Sequence, residues 1–140
     1  MHRESMNEIA SSFGTHAGVV WQTLEQNGPL SESALLEHTH LSTYQLFIAI
    51  GWLARENKIR KDEELYKLGE TNLIPHIGRD AGKLWHALDI WGEADSISLS
   101  RLARISLDNV FTAAGWLARE GKIEATIKDV NEEKILFWLK

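Results

Sequence analysis

The chain has 140 residues, of which 44% are apolar and 25% are charged, a composition ordinary for a globular protein. It contains no cysteine, which excludes disulfides, thiolate nucleophiles and cysteine-ligated zinc. Its formal net charge is −5, and both halves are acidic, with −3 over residues 17–80 and −1 over residues 81–140. Because nucleic-acid affinity rests largely on cations that neutralise phosphates, this balance argues against a broad DNA-binding surface.

Neither a membrane span nor a signal peptide is visible in the sequence. No run of the chain approaches the roughly 18 apolar residues that a span requires. Residues 1–20 include charged side chains and no apolar segment of the kind found in secretory signals. Together with the lack of cysteine, these features predict a cytoplasmic protein without a membrane partner.

The first predicted element is a helix over residues 14–26, where Trp21 and Leu24 recur at helical spacing and Gly28 follows the last turn. A short extended segment leads to a second, short helix that begins near residue 31 or 33. The third helix covers residues 43–56, and Ser42 with Gln45 has the spacing of a capping box. Two short charged strands, at 58–61 and 65–68, form the predicted hairpin.

The second half of the chain repeats this order at an offset of 64 residues. Of the 47 positions in residues 13–59, 18 are identical in residues 77–123, and the run GWLARE occurs at 51–56 and at 115–120. The copy predicts a first helix over 78–90 and a hairpin at 123–128 and 134–139. A period of this length indicates a duplicated small domain.

We therefore predict a mainly α fold with small β-hairpin wings (α+β). An N-terminal extension, residues 1–12, precedes two tandem units at residues 13–72 and 73–140. Within each unit the order helix, short strand, helix, turn, helix, hairpin is that of a winged helix-turn-helix domain.

Two motifs carry a resemblance to a known family. They are Gly-Trp-Leu-Ala-Arg-Glu-x-Lys-Ile at the end of the third helix and Ala-Gly-x-x-Trp-x-x-Leu on the first. Both resemble motifs of a family of small prokaryotic winged helix-turn-helix domains that has no settled function. The resemblance covers both repeats but brings no catalytic or ligand residues to transfer. Members of that family are typically short single domains suited to pairing, so the tandem chain resembles such a dimer fused into one polypeptide.

The outward face of the third helix is unusually apolar for a helix that reads DNA. Base readout relies on Arg, Lys, Asn or Gln side chains, whereas this face carries aromatic residues and a mid-helix glycine in both copies. A helix that is apolar nearly all round is usually buried. One hypothesis is therefore that the two third helices form an interface, with each other or with a partner protein, through Phe47, Ile48, Gly51, Trp52, Phe111, Gly115 and Trp116.

The other hypothesis is a DNA-binding transcription regulator, which rests on fold analogy. Its candidate contacts are polar or charged residues at the start of the third helices, at their ends and around the wings. They are Tyr44, Gln45, Arg55, Lys58, Arg60, Lys61, Arg101, Arg104, Asn109, Arg119 and Lys122. A continuous positive strip across both wings would favour DNA, and burial of the third-helix aromatic residues between the units would favour an interface.

No motif indicates catalysis. The six histidines match no zinc-binding spacing, and the chain contains no P-loop, GxGxxG or GxSxG sequence. Units of roughly 60 residues leave little room for an enclosed substrate pocket beside a core. We therefore predict a non-enzymatic protein without a metal or cofactor.

Overall fold

A computed structural model describes residues 8–129, 131 and 134–140. The first unit contains α1 (Ala10–Asn27), β1 (Leu30–Ser31), α2 (Glu32–Thr39), α3 (Thr43–Arg55), β2 (Ile59–Asp62) and β3 (Leu65–Leu68). The second contains α4 (Ile74–Trp91), β4 (Glu93–Asp95), α5 (Ser96–Ala103), α6 (Leu107–Arg119), β5 (Ile123–Asp129) and β6 (Lys134–Leu139). Each unit has one antiparallel sheet, with strand orders β1-β3-β2 and β4-β6-β5. The predicted α+β fold of two tandem winged helix-turn-helix units is confirmed.

Local signals account for several helix boundaries. The hydroxyl of Ser42 accepts a hydrogen bond from the Gln45 backbone N–H, and the Gln45 side chain accepts one from the Ser42 N–H, so the predicted capping box is present. In the copy, Ser106 accepts from the Asn109 N–H. Helix α1 is followed by Gly28 at φ 76°, a left-handed backbone conformation that favours glycine.

The first helix of each unit is longer than predicted. Helix α1 begins at Ala10, inside the expected extension 1–12, and α4 begins at Ile74 rather than near residue 78. The additional turn of each is stabilised by the opposite unit. The Ile9 N–H donates to the Ala125 carbonyl at 2.9 Å, and the Ala10 N–H donates to the carboxylate of Glu124, also at 2.9 Å. Because these partners lie 116 and 114 residues away, no local pattern could indicate them.

The segment that leads into α4 also forms hydrogen bonds to a wing strand. The Asn72 side chain accepts from the Lys61 N–H at 3.0 Å and donates to the Lys61 carbonyl at 2.7 Å. Lys61 and Ala125 are equivalent positions in the repeat, on β2 and β5. Each first helix therefore begins against the wing strand of the other unit, which gives the chain approximate two-fold symmetry.

His16 on α1 is a half-buried titratable group whose Nδ1 has no hydrogen-bond partner among the described residues. Burial lowers its pKa below 6.5, since the charged imidazolium loses solvation in the fold. As the pH falls through 6.5, the unfolded chain binds a proton more readily than the folded one, so the free energy of unfolding decreases. We expect His16→Gln to remove part of this decrease in urea titrations at successive pH values. Identical pH profiles for His16→Gln and the wild type would contradict the prediction.

Candidate functional site: the interface between α3 and α6

Helices α3 and α6 pack against each other between the two units, and at this crossing two glycines allow their backbones to come into contact. A Cβ built on Gly51 would lie 1.8 Å from the carbonyl oxygen of Thr112, and one built on Gly115 would lie 1.9 Å from that of Ile48. No side chain fits at such distances. Since residues 48 and 51 correspond to 112 and 115 in the repeat, the two contacts are related by the approximate two-fold symmetry.

Aromatic and aliphatic side chains fill the space around the crossing. The exposed fraction is 8% for Phe47, 0% for Ile48 and 1% for Phe111. The ring of Tyr44 lies 5.6 Å from that of Phe111, in a tilted arrangement. Nine of the 13 residues of α3 and eight of the 13 of α6 are buried. The structure thus brings the sequence-predicted interface residues of both helices to one place, where Trp52 and Trp116 are half-buried.

Two reciprocal ion pairs flank the crossing. The Arg55 Nε donates to Glu120 at 3.0 Å, and the Arg119 Nε donates to Glu56 at 2.8 Å. Both guanidinium groups also lie over tryptophan rings of the opposite unit, Arg55 at 5.5 Å from the centroid of Trp116 and Arg119 at 5.9 Å from that of Trp52. The interface residues predicted from the sequence did not include Glu56 and Glu120. Both end the repeated GWLARE run, and this repetition was the signal that could have indicated them.

Most of the sequence-predicted nucleic-acid contacts are engaged within the chain. Tyr44 is 5% exposed, because its ring packs on Phe111, so its side chain is not on the surface. The Gln45 side chain caps its own helix. Arg55 and Arg119 pair across the interface, while Lys58 lies 3.5 Å from Glu56 and Lys122 lies 3.3 Å from Glu120. Packing and capping thus engage Tyr44 and Gln45 within the chain, and their assignment as DNA contacts stays a prediction.

The wing cations of the first unit are also close to acidic groups. Arg60 and Lys67 donate hydrogen bonds to Asp62 and lower the pKa of that carboxyl below its usual value. The Lys61 ammonium lies 5.2 Å from the centroid of the Tyr66 ring. In the second unit, Arg101, Arg104 and Asn109 are exposed on α5, the following turn and the start of α6. The predicted contacts therefore divide into a group around the crossing and the first wing whose side chains have partners within the chain, and a second group, Arg101, Arg104 and Asn109, that is exposed on the second unit.

The described ranges contain no convergence of three or more His, Asp or Glu side chains that could hold a metal ion. No helix of the described part combines the length and apolar content needed to cross a bilayer.

The family model for the winged helix-turn-helix domain (DUF2582) matches residues 2–68 and matches again at residues 70–137. The chain belongs to this family. Two adjacent matches confirm the tandem duplication, and the resemblance drawn from the GWLARE motif is correct. No curated protein and no solved structure matches the chain. The family assignment agrees with the fold of both units.

Proposed function

We propose that this chain is a non-enzymatic dimerisation module: a fused pair of winged-helix units whose third helices bind each other instead of reading DNA. One observation carries the proposal. The helices that enter the major groove in DNA-binding relatives cross here in backbone contact at Gly51 and Gly115. A helix whose outer face is buried in this way presents no side chains to base edges.

The charges around the crossing support the same function. The cations at the ends of α3 and α6 pair with Glu56 and Glu120, so each of these side chains already has a partner within the chain. Opening the interface to admit DNA would expose Phe47, Ile48 and Phe111 to water and break both reciprocal ion pairs. The net charge of −5 adds a long-range repulsion from phosphates.

A second candidate function is DNA binding through another face, which the winged helix-turn-helix family favours as a possible role. The observation that supports it is the exposed group Arg101, Arg104 and Asn109 on the second unit. These side chains could contact phosphates without opening the crossing, and such contacts would position the protein rather than read sequence.

One experiment separates these two functions. Fluorescence anisotropy of a labelled random DNA duplex is measured against protein at about 50 mM salt, and then along a salt titration. We expect no saturable binding, because the third helices are occupied and most cations are paired. Saturable binding that weakens steeply with salt, and that is lost in Arg101→Glu/Arg104→Glu, would overturn the proposal and establish the second candidate. The matched control is Arg79→Glu/Lys83→Glu, which makes the same charge change at two exposed positions on α4.

A further inference from the structure

Two clefts occur at equivalent places in the two units, outside the α3–α6 crossing. The first has a volume of about 510 Å³ and is lined by Gly14, Ala17, Gly18, Trp21, Trp52, Leu53, Glu56 and Lys58. The second has a volume of about 370 Å³ and is lined by Gly78, Ala81, Gly82, Trp85, Trp116, Leu117, Glu120 and Lys122. Each residue of the second list lies 64 positions after its counterpart in the first. Both volumes fall in the range of small-molecule sites.

All eight lining positions are identical in the two repeats, although only 18 of the 47 aligned positions are. Nine of the identical pairs are not buried, and six of these nine line the clefts. The other three have local roles: Gly28 ends α1, Ser42 caps α3 and Arg55 pairs across the crossing. The surface that the repeats share is therefore mainly the surface of the clefts.

Packing does not explain all of these identities. A Cβ on Gly14 would meet the ring of Trp52, but one on Gly18, Gly78 or Gly82 would meet nothing within 4 Å. Glycine inside a helix makes the helix less stable than alanine does. Gly18 and Gly82 have room for a methyl group, so the occurrence of glycine at this position in both repeats is not explained by packing. Without side chains on one wall, α1 and α4 leave a flat slot beside the indole rings. Trp85 in the second cleft is 39% exposed, so its indole ring is accessible to a ligand.

The charges at each cleft indicate the chemistry of that ligand. In the first, Glu56 lies between the Lys58 ammonium, at 3.5 Å, and the Arg119 guanidinium, at 2.8 Å. Arg119 is not part of the cleft lining but pairs with its carboxylate, so this group of one carboxylate and two cations carries a net positive charge. The Lys58 side chain, which does line the cleft, is 52% exposed. The second cleft repeats the set with Glu120, Lys122 and Arg55. A cation beside aromatic walls suits a flat ring that carries an anionic group.

We propose that each cleft binds a small planar aromatic carboxylate, with the ring in the slot beside the two indoles and the carboxylate on the Lys58 or Lys122 ammonium. The chain then holds two ligands in equivalent sites. This inference goes beyond the proposed dimerisation function but rests on the same packing of α3 against α6, because Arg119 and Arg55 reach the carboxylates of the clefts from the opposite unit.

The test is an NMR titration of the intact chain with 2-naphthoate as the probe, followed through the tryptophan indole N–H signals. Trp21, Trp52, Trp85 and Trp116 line the clefts, Trp138 does not and serves as an internal reference, and Trp91 reports on a separate cavity that it lines with Arg101 and Lys128. We expect saturable shifts of the four cleft signals, two ligands per chain and at least fivefold weaker binding of the uncharged 2-naphthamide. Shifts limited to Trp91, no shifts at about millimolar probe, or equal affinity for acid and amide would overturn the proposal.

Variants in one unit use the other unit as their control. Lys58→Gln should weaken 2-naphthoate binding about fivefold in the first cleft and leave the second unchanged, as expected for one partly exposed ion pair. Gly18→Leu should fill the first slot and reduce binding there more than tenfold, and its exposed position keeps the fold intact. Lys67→Gln, which removes a lysine paired with Asp62 outside the cleft, should change neither site. Equal affinity of both clefts in Lys58→Gln and Gly18→Leu would contradict the assignment.

Discussion

Gly51→Ala is expected to destabilise the protein by about 3 kcal/mol or more, the upper end of the range for overpacked cores. The new methyl group would lie 1.8 Å from the carbonyl oxygen of Thr112 and 2.8 Å from its carbonyl carbon. Both atoms belong to the backbone of α6, so no side-chain rotation relieves the clash and the helices must separate. Gly115→Ala should have a similar effect, because its methyl group would meet the carbonyl of Ile48 at 1.9 Å. Urea unfolding followed by circular dichroism measures both free energies.

Gly18→Ala is the matched control, since it makes the same substitution inside a helix. Its methyl group meets nothing within 4 Å, so the gain in helix propensity remains and should stabilise the chain by about 0.5–1 kcal/mol. The two substitutions are therefore expected to change the free energy of unfolding in opposite directions. A Gly51→Ala variant as stable as Gly18→Ala would show that α3 and α6 do not cross in backbone contact.

Phe111→Lys is expected to cost about 4 kcal/mol or more, a large part of the stability of a small domain. The ring is 1% exposed and packs against Tyr44 of the opposite unit, so the substitution removes that contact and buries an ammonium without a partner. Phe47→Lys should act in the same direction from the other helix, where the ring is 8% exposed. Thermal unfolding followed by circular dichroism measures the loss.

Two variants make the Phe111 result interpretable. Leu65→Lys introduces the same charge at a wing position that is 45% exposed and should change stability by about 0.5 kcal/mol or less. Phe111→Leu keeps an apolar side chain and should cost clearly less than Phe111→Lys, which separates lost volume from the buried charge. Wild-type stability of Phe111→Lys would mean that the outer faces of α3 and α6 are open to solvent.

Sequence patterns predicted the features that depend on neighbouring residues. The capping box at Ser42 and Gln45 is correct because both partners lie within one helical turn. The hairpin strands and the end of α1 at Gly28 follow from equally local preferences. The repeat at an offset of 64 then applied the same interpretation to the second unit, and the two family matches agree with it.

Errors arose where distant parts of the chain meet. The N-terminal turn of α1 was missed because its hydrogen-bond acceptors, the Ala125 carbonyl and the Glu124 carboxylate, belong to the other unit. The burial of Tyr44 was not visible in the sequence either, because the ring that packs on it, Phe111, lies in the other unit. Glu56 and Glu120 were not considered, since their arginine partners lie 63 and 65 residues away.

By itself, the sequence determined that the chain is a duplicated winged helix-turn-helix protein, because caps, turns and apolar periodicity act over a few residues. It also showed an apolar third helix with a glycine at the same place twice, which left an interface and a DNA reader as alternatives. Only the tertiary structure decided that Gly51 faces the Thr112 carbonyl and that two equivalent clefts lie beside Trp21 and Trp85. Those features depend on how one helix packs on another, and packing is set by the three-dimensional fit of surfaces far apart in the chain.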